Sequence, residues 1–537
     1  MVERWRWNAA PYWCFSSPSV TMDEHVYSVG VGMERVANLH PGAEVWSAER
    51  DLYVDNPPLA MYYFGSWAHL GKMLGASGYS GLLYWARIGA VLLGVAAVLL
   101  TYLLGKRLLG ETEGLMAGTI MAVLPLSVGW SRLTYIAIAL IAAYTAVVAL
   151  FVWTRDWEVR YRLPLLALAA GIPFATKYNG IFAAPLLAFL WVLYEQPLPE
   201  ALGRDTDWTG NRYVARFIDF VLLSGAFTAG AYVVLVATFP YLWRAPVRNF
   251  INIFLMQSSR GSLGIIGILQ SVGSVIIYHV VRNPLPVVAL AVYGLYVTVQ
   301  ETTRDRLAIA AWGAAPLLIA FLGFGRGKYT LPLIVPLSLL AALGLSQAYD
   351  RVGDRIPVSY STTGMLLAGY LAISVILVYP YIAAGYYSGI VGFAPGAWKL
   401  GTSHDWANRY IGTPGGYGSG VGEGMKYIWN TAPRGATVQI YTQLQPFYIG
   451  IDRTVQYLDP TKPPRADYVL INSLYSLGDT TEPGWWFIIT GRPGYNNEPN
   501  RTYYMTYEEL EENPNYRRVW QDGVMGVPMA RVYRRVS

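Results

Sequence analysis

Residues 82–105 read LLYWARIGAVLLGVAAVLLTYLLG, an apolar run that contains one charged side chain, Arg87. An α-helix needs about 20 apolar residues to cross the hydrocarbon core of a bilayer, so this run predicts a membrane-spanning helix. Comparable windows recur along the chain, near residues 114–131, 134–153, 163–176, 180–194, 217–238, 284–299, 307–323, 329–347 and 361–385. The sequence therefore predicts an all-α polytopic membrane domain of about ten transmembrane helices.

The composition of the 537 residues agrees with this class, because 54% are hydrophobic and only 14% are charged. A soluble chain of this length would carry more charge and would interrupt its apolar segments sooner. Cys14 is the only cysteine, which excludes a disulfide within this sequence and a site built from several thiolates. The net charge of +6 comes largely from basic residues between the apolar runs, which membrane topology explains. We therefore expect membrane lipids as partners and no nucleic acid.

Basic residues are concentrated in one set of alternate connections between the predicted spans. Cytoplasmic loops carry an excess of Lys and Arg, and the loops concerned hold Lys106 and Arg107, Arg155, Arg160 and Arg162, Arg204, Arg212 and Arg216, Arg304 and Arg306, and Arg351 and Arg355. Counting spans from these loops places residues 1–57, the 239–282 connection and everything after about residue 386 on the outer side. We expect a multi-pass protein of the cell membrane with an extracytoplasmic C-terminal domain.

Composition divides the chain into regions. Residues 1–80 form an outer-side N-terminal segment, in which 58–75 predicts an interfacial or re-entrant helix, since it is apolar, aromatic and preceded by prolines. Residues 81–390 form the transmembrane helical domain. Residues 391–537 are rich in Gly, Pro, Tyr and Asn, which predicts a soluble mixed α/β domain. Its candidate helix is 423–430, and its candidate strands are Thr437–Tyr441, Ala466–Ile471 and Trp485–Ile489.

Carboxylates in the N-terminal segment are the first candidates for chemistry. The residues concerned are Asp23 and Glu24, followed by Tyr27, and Asp55, followed by Pro57 and Pro58. A carboxylate in a medium of low dielectric gains basicity and can take a proton from an acceptor hydroxyl. Two other interpretations stay open: Asp23 and Glu24 can lie in a solvated turn, and Asp55 can cap the helix that follows the prolines.

Cations at the predicted outer ends of the spans form a second set. They are Arg132, Lys177, Arg326 and Lys328, with tyrosines following two of them at Tyr178 and Tyr329. Several positive charges at one membrane face indicate an anion, and a lipid phosphate held at the interface would pair them. The alternative for each cation is that it extends to the lipid headgroups and binds no substrate. Arg87 can also serve simply as a helix anchor.

The histidines show no spacing that is typical of a metal site. Carboxylates with one histidine could still bind a divalent cation, so no cofactor is predicted with certainty and this cation stays open. No glycine-rich phosphate loop follows a predicted strand, so a nucleotide-binding domain is not predicted.

The order of these motifs resembles a known family, the membrane glycosyltransferases of the GT-C fold, in the branch of protein O-mannosyltransferases and aminoarabinose transferases. The resemblance extends over about residues 20–385 and rests on Asp23-Glu24 with Tyr27, Asp55-Asn56-Pro57-Pro58-Leu59 with Tyr62-Tyr63, the span from Arg87 to Gly110, Ser131-Arg132, Thr176-Lys177-Tyr178-Asn179-Gly180, and Lys328-Tyr329 to Pro336. Two positions depart from it. Asn56 stands where the family has a histidine, and Thr134-Tyr135-Ile136 stands where an acidic residue follows its Ser-Arg pair.

This resemblance implies transfer of a mannose-like sugar or a pentose from a polyprenyl-phosphate carrier, such as dolichyl phosphate. The acceptor would be a hydroxyl of a protein, lipid or glycan at the outer face, and the anomeric centre would invert. Asp23 is then expected to deprotonate the acceptor, with help from Glu24 or Asp55. The resemblance assigns the lipid phosphate to Arg132, Lys177, Tyr178, Arg326, Lys328 and Tyr329, and a supporting role to Tyr27, Pro57, Pro58 and Arg87.

Three other functions stay open at this point. An oligosaccharyltransferase would place its Trp-Trp-Asp signature at Trp485-Trp486-Phe487, which lacks the acidic residue. A transporter would carry charges within the spans and related halves, whereas the charges here lie at helix ends and no half repeats the other. A purely structural membrane anchor for the C-terminal domain would not need so many outer cations.

Overall fold

In a computed structural model, the chain forms a helical bundle followed by a small mixed sheet. The structure describes residues 27–39, 56–195, 212–258, 265–321, 329–352, 362–370, 430–441, 464–472, 507–524 and 527–536, with shorter pieces between them. The described parts of the bundle share one large apolar core that reaches from Tyr27 to Leu345.

The first helices lie between residues 31 and 194. They are α1 Val31–Ala37, α2 Leu59–Met73, α3 Gly78–Leu108, α4 Glu111–Val123, α5 Pro125–Ser131, α6 Ile136–Trp153, α7 Val159–Ala169, α8 Gly171–Thr176 and α9 Ala183–Tyr194, with a 3-10 helix at Tyr178–Phe182. The later helices are α10 Arg212–Thr238, α11 Pro240–Trp243, α12 Pro246–Ser258, α13 Ile265–Arg282, α14 Leu285–Gln300, α15 Arg304–Ala314, α16 Leu318–Phe321 and α17 Ile334–Val352. Short 3-10 helices lie at Ala315–Leu317 and Leu331–Leu333.

Four of the described helices are long and apolar enough to cross a membrane, namely Gly81–Leu108, Ile136–Trp153, Tyr213–Thr238 and Leu331–Arg351. They coincide with the predicted spans 82–105, 134–153, 217–238 and 329–347. Two shorter apolar helices, Tyr178–Tyr194 and Leu285–Gln300, coincide with 180–194 and 284–299. The chain is a membrane protein of mostly helical structure, and a total of about ten spans stays a prediction.

Several predicted segments differ in detail from the observed helices. The predicted span 114–131 is divided between α4 and α5, because Leu124 is extended and Pro125 begins the next helix. The predicted span 163–176 is likewise divided between α7 and α8 at Ala170. The 239–282 region, predicted only as an outer-side connection, contains α11, α12 and α13. In the predicted span 361–385, residues 362–370 are helical and most of the rest lies outside the described residues.

Helices α14 and α17 approach each other closely at a pair of glycines. A Cβ added at Gly294 would overlap the backbone carbonyl of Leu340, and one added at Gly344 would overlap the carbonyl of Leu290. Small residues at such crossings let two backbones pack together, which is how helices associate where lipid removes the hydrophobic drive. These two glycines therefore set the distance between α14 and α17.

Charged residues from separate predicted inner loops meet at one end of the bundle. The Arg162 guanidinium, which is 1% exposed, lies 2.6 Å from the Glu195 carboxylate, and Arg216 donates to the backbone carbonyl of Glu195 at 2.6 Å. The Tyr194 hydroxyl donates to Asp305 at 2.6 Å. These contacts join three of the connections that the basic residues predicted to lie on one side, and the side of the membrane itself stays a prediction.

The C-terminal region contains a five-stranded sheet of order β2-β1-β3-β5-β4. Its strands are β1 Thr437–Tyr441, β2 Gln456–Tyr457, β3 Tyr468–Asn472, β4 Tyr516–Val524 and β5 Val527–Arg535, and a short helix, α18, spans Tyr507–Glu512. β1 runs parallel to β2 and β3, whereas β5 is antiparallel to β3 and β4. Two of the predicted strands are confirmed as β1 and β3. The third, Trp485–Ile489, lies outside the described residues.

Both faces of this sheet are covered, which confirms the mixed α/β character. On one face, Leu510 of α18 packs with Val469, Ile471, Tyr516 and Tyr533. On the other, Tyr427 stacks on Trp520 with ring centroids 6.0 Å apart. The described residues of the candidate helix 423–430, namely Gly424, Tyr427, Ile428 and Asn430, are helical.

Candidate functional site

Tyr27 lies at a point where three of the sequence motifs meet. Its side chain is buried, and its hydroxyl accepts a hydrogen bond of 3.2 Å from the Asn56 amide. Its ring packs edge-on against Tyr135, with centroids 5.6 Å apart and planes at 86°. Tyr27, Asn56 of the Pro-Pro element and Tyr135 of the segment after Ser131-Arg132 are thus in contact, although long stretches of sequence separate them.

The same contact brings together polar groups that the motifs did not single out. The Thr134 and Ser28 hydroxyl oxygens are 3.4 Å apart, and both residues are fully buried. Thr134 begins the stretch Thr134-Tyr135-Ile136, in which the resembling family has an acidic residue. At this position the chain therefore has a buried neutral hydroxyl.

Pro57 and Pro58 lie at the start of α2, and both are buried. Pro58 is the N-cap residue, and its carbonyl accepts the first helical hydrogen bond, from the Tyr62 N–H at 2.9 Å. Proline is compatible with this position because its missing N–H would have no partner in the first turn. The supporting role predicted for the two prolines stays a prediction. The predicted helix at 58–75 is confirmed as α2.

Arg35 is a buried cation next to this region that no sequence motif singles out. It lies on α1, its side chain is fully buried, and its Nη1 is 2.7 Å from the Met61 sulfur on α2. The two helices touch at Gly32 and Gly65, where a Cβ on either glycine would overlap the backbone. A single arginine in a short helix has no spacing that distinguishes it from a solvated residue, so no pattern could have identified it.

Tyr62 on α2 is affected by the same surroundings. Burial raises the pKa of its hydroxyl, and the positive charge of Arg35 opposes that rise. The phenol stays protonated and donates a hydrogen bond of 2.9 Å to the backbone carbonyl of Thr238 on α10. Tyr62 therefore ties α2 to the bundle.

Lys177 joins two further motifs. It follows α8, is 7% exposed, and its ammonium nitrogen lies 4.3 Å from the centroid of the Tyr329 ring. A cation over an aromatic face is stabilised, and more strongly when water is excluded. The structure thus places a buried positive charge against one of the predicted phosphate-binding tyrosines. Tyr178 is half-buried and packs against Phe174, with ring centroids 6.5 Å apart.

Asn179 holds this pair in place. Its amide nitrogen donates a hydrogen bond of 2.6 Å to the backbone carbonyl of Tyr329. Its own backbone carbonyl accepts one of 3.1 Å from the Tyr144 hydroxyl on α6. Thr330 follows Tyr329 in the chain, and its hydroxyl oxygen lies 2.8 Å from Nε2 of the buried His279 ring. The Tyr329–Thr330 segment is therefore fixed from both sides.

The remaining predicted residues are placed as follows. Arg132 is half-buried directly after α5, where the Ser131 hydroxyl donates to the Ser127 carbonyl at 2.7 Å. Arg87 is almost fully buried on α3. Five predicted residues lie outside the described residues: Asp23, Glu24, Asp55, Arg326 and Lys328. Among the residues that the structure describes, no group of three His, Cys, Asp or Glu side chains could hold a metal ion. The divalent cation stays an open prediction.

Gly180 permits the turn that presents Lys177. A Cβ at Gly180 would overlap the backbone carbonyl of Pro173 in α8, and backbone atoms cannot move aside as a flexible side chain can. We expect Gly180→Ala to displace the turn and to lower both thermal stability and the affinity for a polyprenyl phosphate. The matched control is Gly225→Ala on α10, where a Cβ has nothing within 4 Å and alanine favours the helix. Equal melting temperatures and affinities for the two variants would refute this prediction.

Comparison with known proteins supports the sequence resemblance. Residues 70–203 match the family described as dolichyl-phosphate-mannose-protein mannosyltransferase. This segment contains Arg87, Arg132, Lys177 and Tyr178. The resemblance that the motifs predicted is therefore confirmed over this part of the chain. A comparison with curated protein sequences gives no match.

Solved structures of similar arrangement include ArnT and an archaeal oligosaccharyltransferase. ArnT from Cupriavidus metallidurans in the apo state is 15% identical, with a TM-score of 0.44 over 86% of this chain and 91% of that chain. The same protein bound to undecaprenyl phosphate is 15% identical, with a TM-score of 0.42 over 87% and 92%. The oligosaccharyltransferase AglB from Archaeoglobus fulgidus, in complex with an inhibitory peptide and a dolichol-phosphate, is 13% identical, with a TM-score of 0.37 over 78% and 61%. These TM-scores are low, so no residue role is carried over from these structures.

Proposed function

We propose, from the premise that residues 70–203 resemble the dolichyl-phosphate-mannose-protein mannosyltransferases, that this protein transfers a sugar from a polyprenyl-phosphate carrier to an acceptor hydroxyl. The observation that carries the proposal is the position of Lys177. It lies within the matched segment, and its buried ammonium faces the Tyr329 ring. A buried cation at the end of a helical bundle suits a phosphate on a lipid, because the pairing compensates for the loss of hydration.

In the proposed reaction the acceptor oxygen attacks the anomeric carbon of the donor sugar. The bond between that carbon and the phosphate oxygen breaks, and the carrier phosphate leaves with the electron pair. A carboxylate takes the acceptor proton, for which Asp23 is the first candidate, with Glu24 or Asp55 assisting. Displacement in one step inverts the anomeric centre.

The charge that develops on the leaving phosphate is the second requirement. Lys177 and Arg132 would stabilise it, together with Arg326 and Lys328, because fixed positive groups aimed at a developing anion lower the barrier. The site would act at the outer face, the sugar would be a hexose such as mannose or a pentose, and the acceptor a protein, lipid or glycan.

A substitution at Asp23 tests the proposed base. We expect Asp23→Asn to reduce sugar transfer about 10²–10⁴-fold, because asparagine keeps the shape of the side chain and cannot take a proton. The measurement is transfer of radiolabelled sugar from a panel of polyprenyl-phosphate sugars to membrane extract, with the full chain in nanodiscs, alongside binding of the donor.

The matched control is Asp156→Asn, an exposed acid in a predicted inner loop. It should retain full transfer. Equal transfer by Asp23→Asn and wild type would assign the base to Glu24 or Asp55. Absence of transfer from every donor, together with no binding of a lipid phosphate by the wild type, would reject the glycosyltransferase proposal and favour a transport assay.

A further inference from the structure

The Asn179 side chain is held in one orientation by its neighbours. Its Nδ2 donates to the Tyr329 backbone carbonyl at 2.6 Å. Rotating the amide by half a turn would set its own oxygen against that carbonyl, and two acceptors cannot form a hydrogen bond. The contact therefore identifies which terminal atom is nitrogen and which is oxygen, an assignment that distance alone does not provide.

The other amide atom of Asn179, Oδ1, is buried and has no hydrogen-bond partner among the described residues. The residue as a whole is only 8% exposed. A buried acceptor without a donor costs about 1–3 kcal/mol, and such groups in native proteins call for an explanation, for which a ligand is one candidate. A ligand group that paired with this oxygen would have to carry a polarised hydrogen, as a hydroxyl or an amide does.

Asn179 and Lys177 are tied to the same residue. The Lys177 ammonium lies over the Tyr329 ring, while the Asn179 amide donates a hydrogen bond to the Tyr329 backbone carbonyl. Lys177 and Asn179, two residues apart in the chain, therefore both contact Tyr329. In a polyprenyl-phosphate sugar the group bonded directly to the phosphate is the sugar ring, and that ring carries hydroxyl donors.

We propose that the Asn179 side-chain oxygen accepts a hydrogen bond from a ring hydroxyl of the donor sugar and thereby selects hydroxylated sugars. This proposal rests on the proposed function, since it needs the phosphate at Lys177. A site built to pair with a hydroxyl discriminates strongly against the analogue that lacks it, because the polar atom is then buried without a partner. Asn179 is thus a specificity-determining residue, and its nitrogen is a positioning group for Tyr329.

Binding measurements with two ligands separate these roles. The full chain in nanodiscs is titrated with polyprenyl-phosphate mannose and with sugar-free polyprenyl phosphate. We expect Asn179→Ala to weaken binding of the mannose donor about tenfold, as loss of a hydrogen bond to a buried group predicts, and to leave the sugar-free lipid within about twofold. Equal weakening of both ligands would overturn the proposal in favour of positioning alone, and so would no weakening of either.

Donors that each lack one ring hydroxyl provide a test that does not depend on folding of the variant. Against wild type, one of these monodeoxy donors should bind about tenfold more weakly than the parent, and against Asn179→Ala this difference should vanish. If every monodeoxy donor binds wild type as the parent does, the proposal is refuted. Failure of wild type to bind even the sugar-free lipid would reject the proposed function itself.

The structural control is Asn249→Ala. Asn249 also donates its amide to a backbone carbonyl, that of Tyr241, at 2.7 Å, and it lies on α12. The Asn249→Ala variant should bind the mannose donor and the sugar-free lipid with unchanged affinities. A loss of mannose-donor affinity in this variant equal to that in Asn179→Ala would show that a general weakening of the bundle explains the effect and would refute the proposal.

Discussion

Replacement of Lys177 by glutamine is expected to reduce sugar transfer at least about a hundredfold, the range seen when one preorganised group facing a developing charge is removed. Glutamine keeps a similar length and polarity, so the loss would come from the positive charge. Lys177→Arg should retain part of the activity, because it keeps the charge, although a guanidinium is broader and has a different donor geometry. The measurements are transfer of labelled sugar and binding of sugar-free polyprenyl phosphate.

The matched control for this prediction is Lys106→Gln. Lys106 lies at the far end of α3, where its ammonium pairs with Glu111 at 2.7 Å and the side chain is 46% exposed. An exposed ion pair contributes little, so this variant should transfer sugar as the wild type does. Unchanged lipid-phosphate affinity in Lys177→Gln would contradict the assignment of Lys177 to the phosphate.

The largest effect on stability is expected at Arg162. Its guanidinium pairs with Glu195 at 2.6 Å, donates to the Phe151 carbonyl at 3.2 Å, and lies over the Phe151 and Trp191 rings. Removing one partner from a buried ion pair leaves the other charge uncompensated, which typically costs about 3–5 kcal/mol. We expect Arg162→Gln to lose about 3 kcal/mol of unfolding free energy, at the low end because Glu195 is partly exposed.

The comparison variant is Arg160→Gln on the same helix. Arg160 pairs with Glu158 at 2.6 Å, but the arginine is 69% exposed, so the change should cost less than about 1 kcal/mol. Thermal unfolding of the detergent-purified chain measures the stability of both variants. The double variant Arg162→Gln/Glu195→Gln should regain part of the lost stability, since it removes the unpaired carboxylate. Similar melting temperatures for Arg162→Gln and Arg160→Gln would exclude a structural role for the buried pair.

Helices and strands were predictable where the signal is local. The quoted run at 82–105 identified α3, and 134–153 identified α6, because apolar length is a property of consecutive residues. Alternation over a few residues likewise identified β1 and β3. The division of 114–131 at Leu124 was within reach too, since a proline disfavours helical backbone in the residue before it.

Part of the candidate site was also predictable. The motifs named Tyr27, Lys177 and Tyr329 because charge, aromatic character and order along the chain resemble a known family. They did not include Arg35, and they contained Asn179 without giving it a role, since an arginine in a short helix and an asparagine in a turn are ordinary in sequence. Their importance depends on burial and on which atoms they face.

The sequence by itself determined the class of the protein. The apolar runs have the length of a bilayer, the basic residues are concentrated in alternate loops, and the C-terminal region is polar. Only the tertiary structure decided that Tyr27 meets Asn56 and Tyr135, that Lys177 lies against Tyr329, and that Arg162 pairs with Glu195. The physical reason is range. Hydrophobic length and backbone propensity act between neighbours in the chain, whereas a contact between distant residues exists only when the packing of whole helices brings them together.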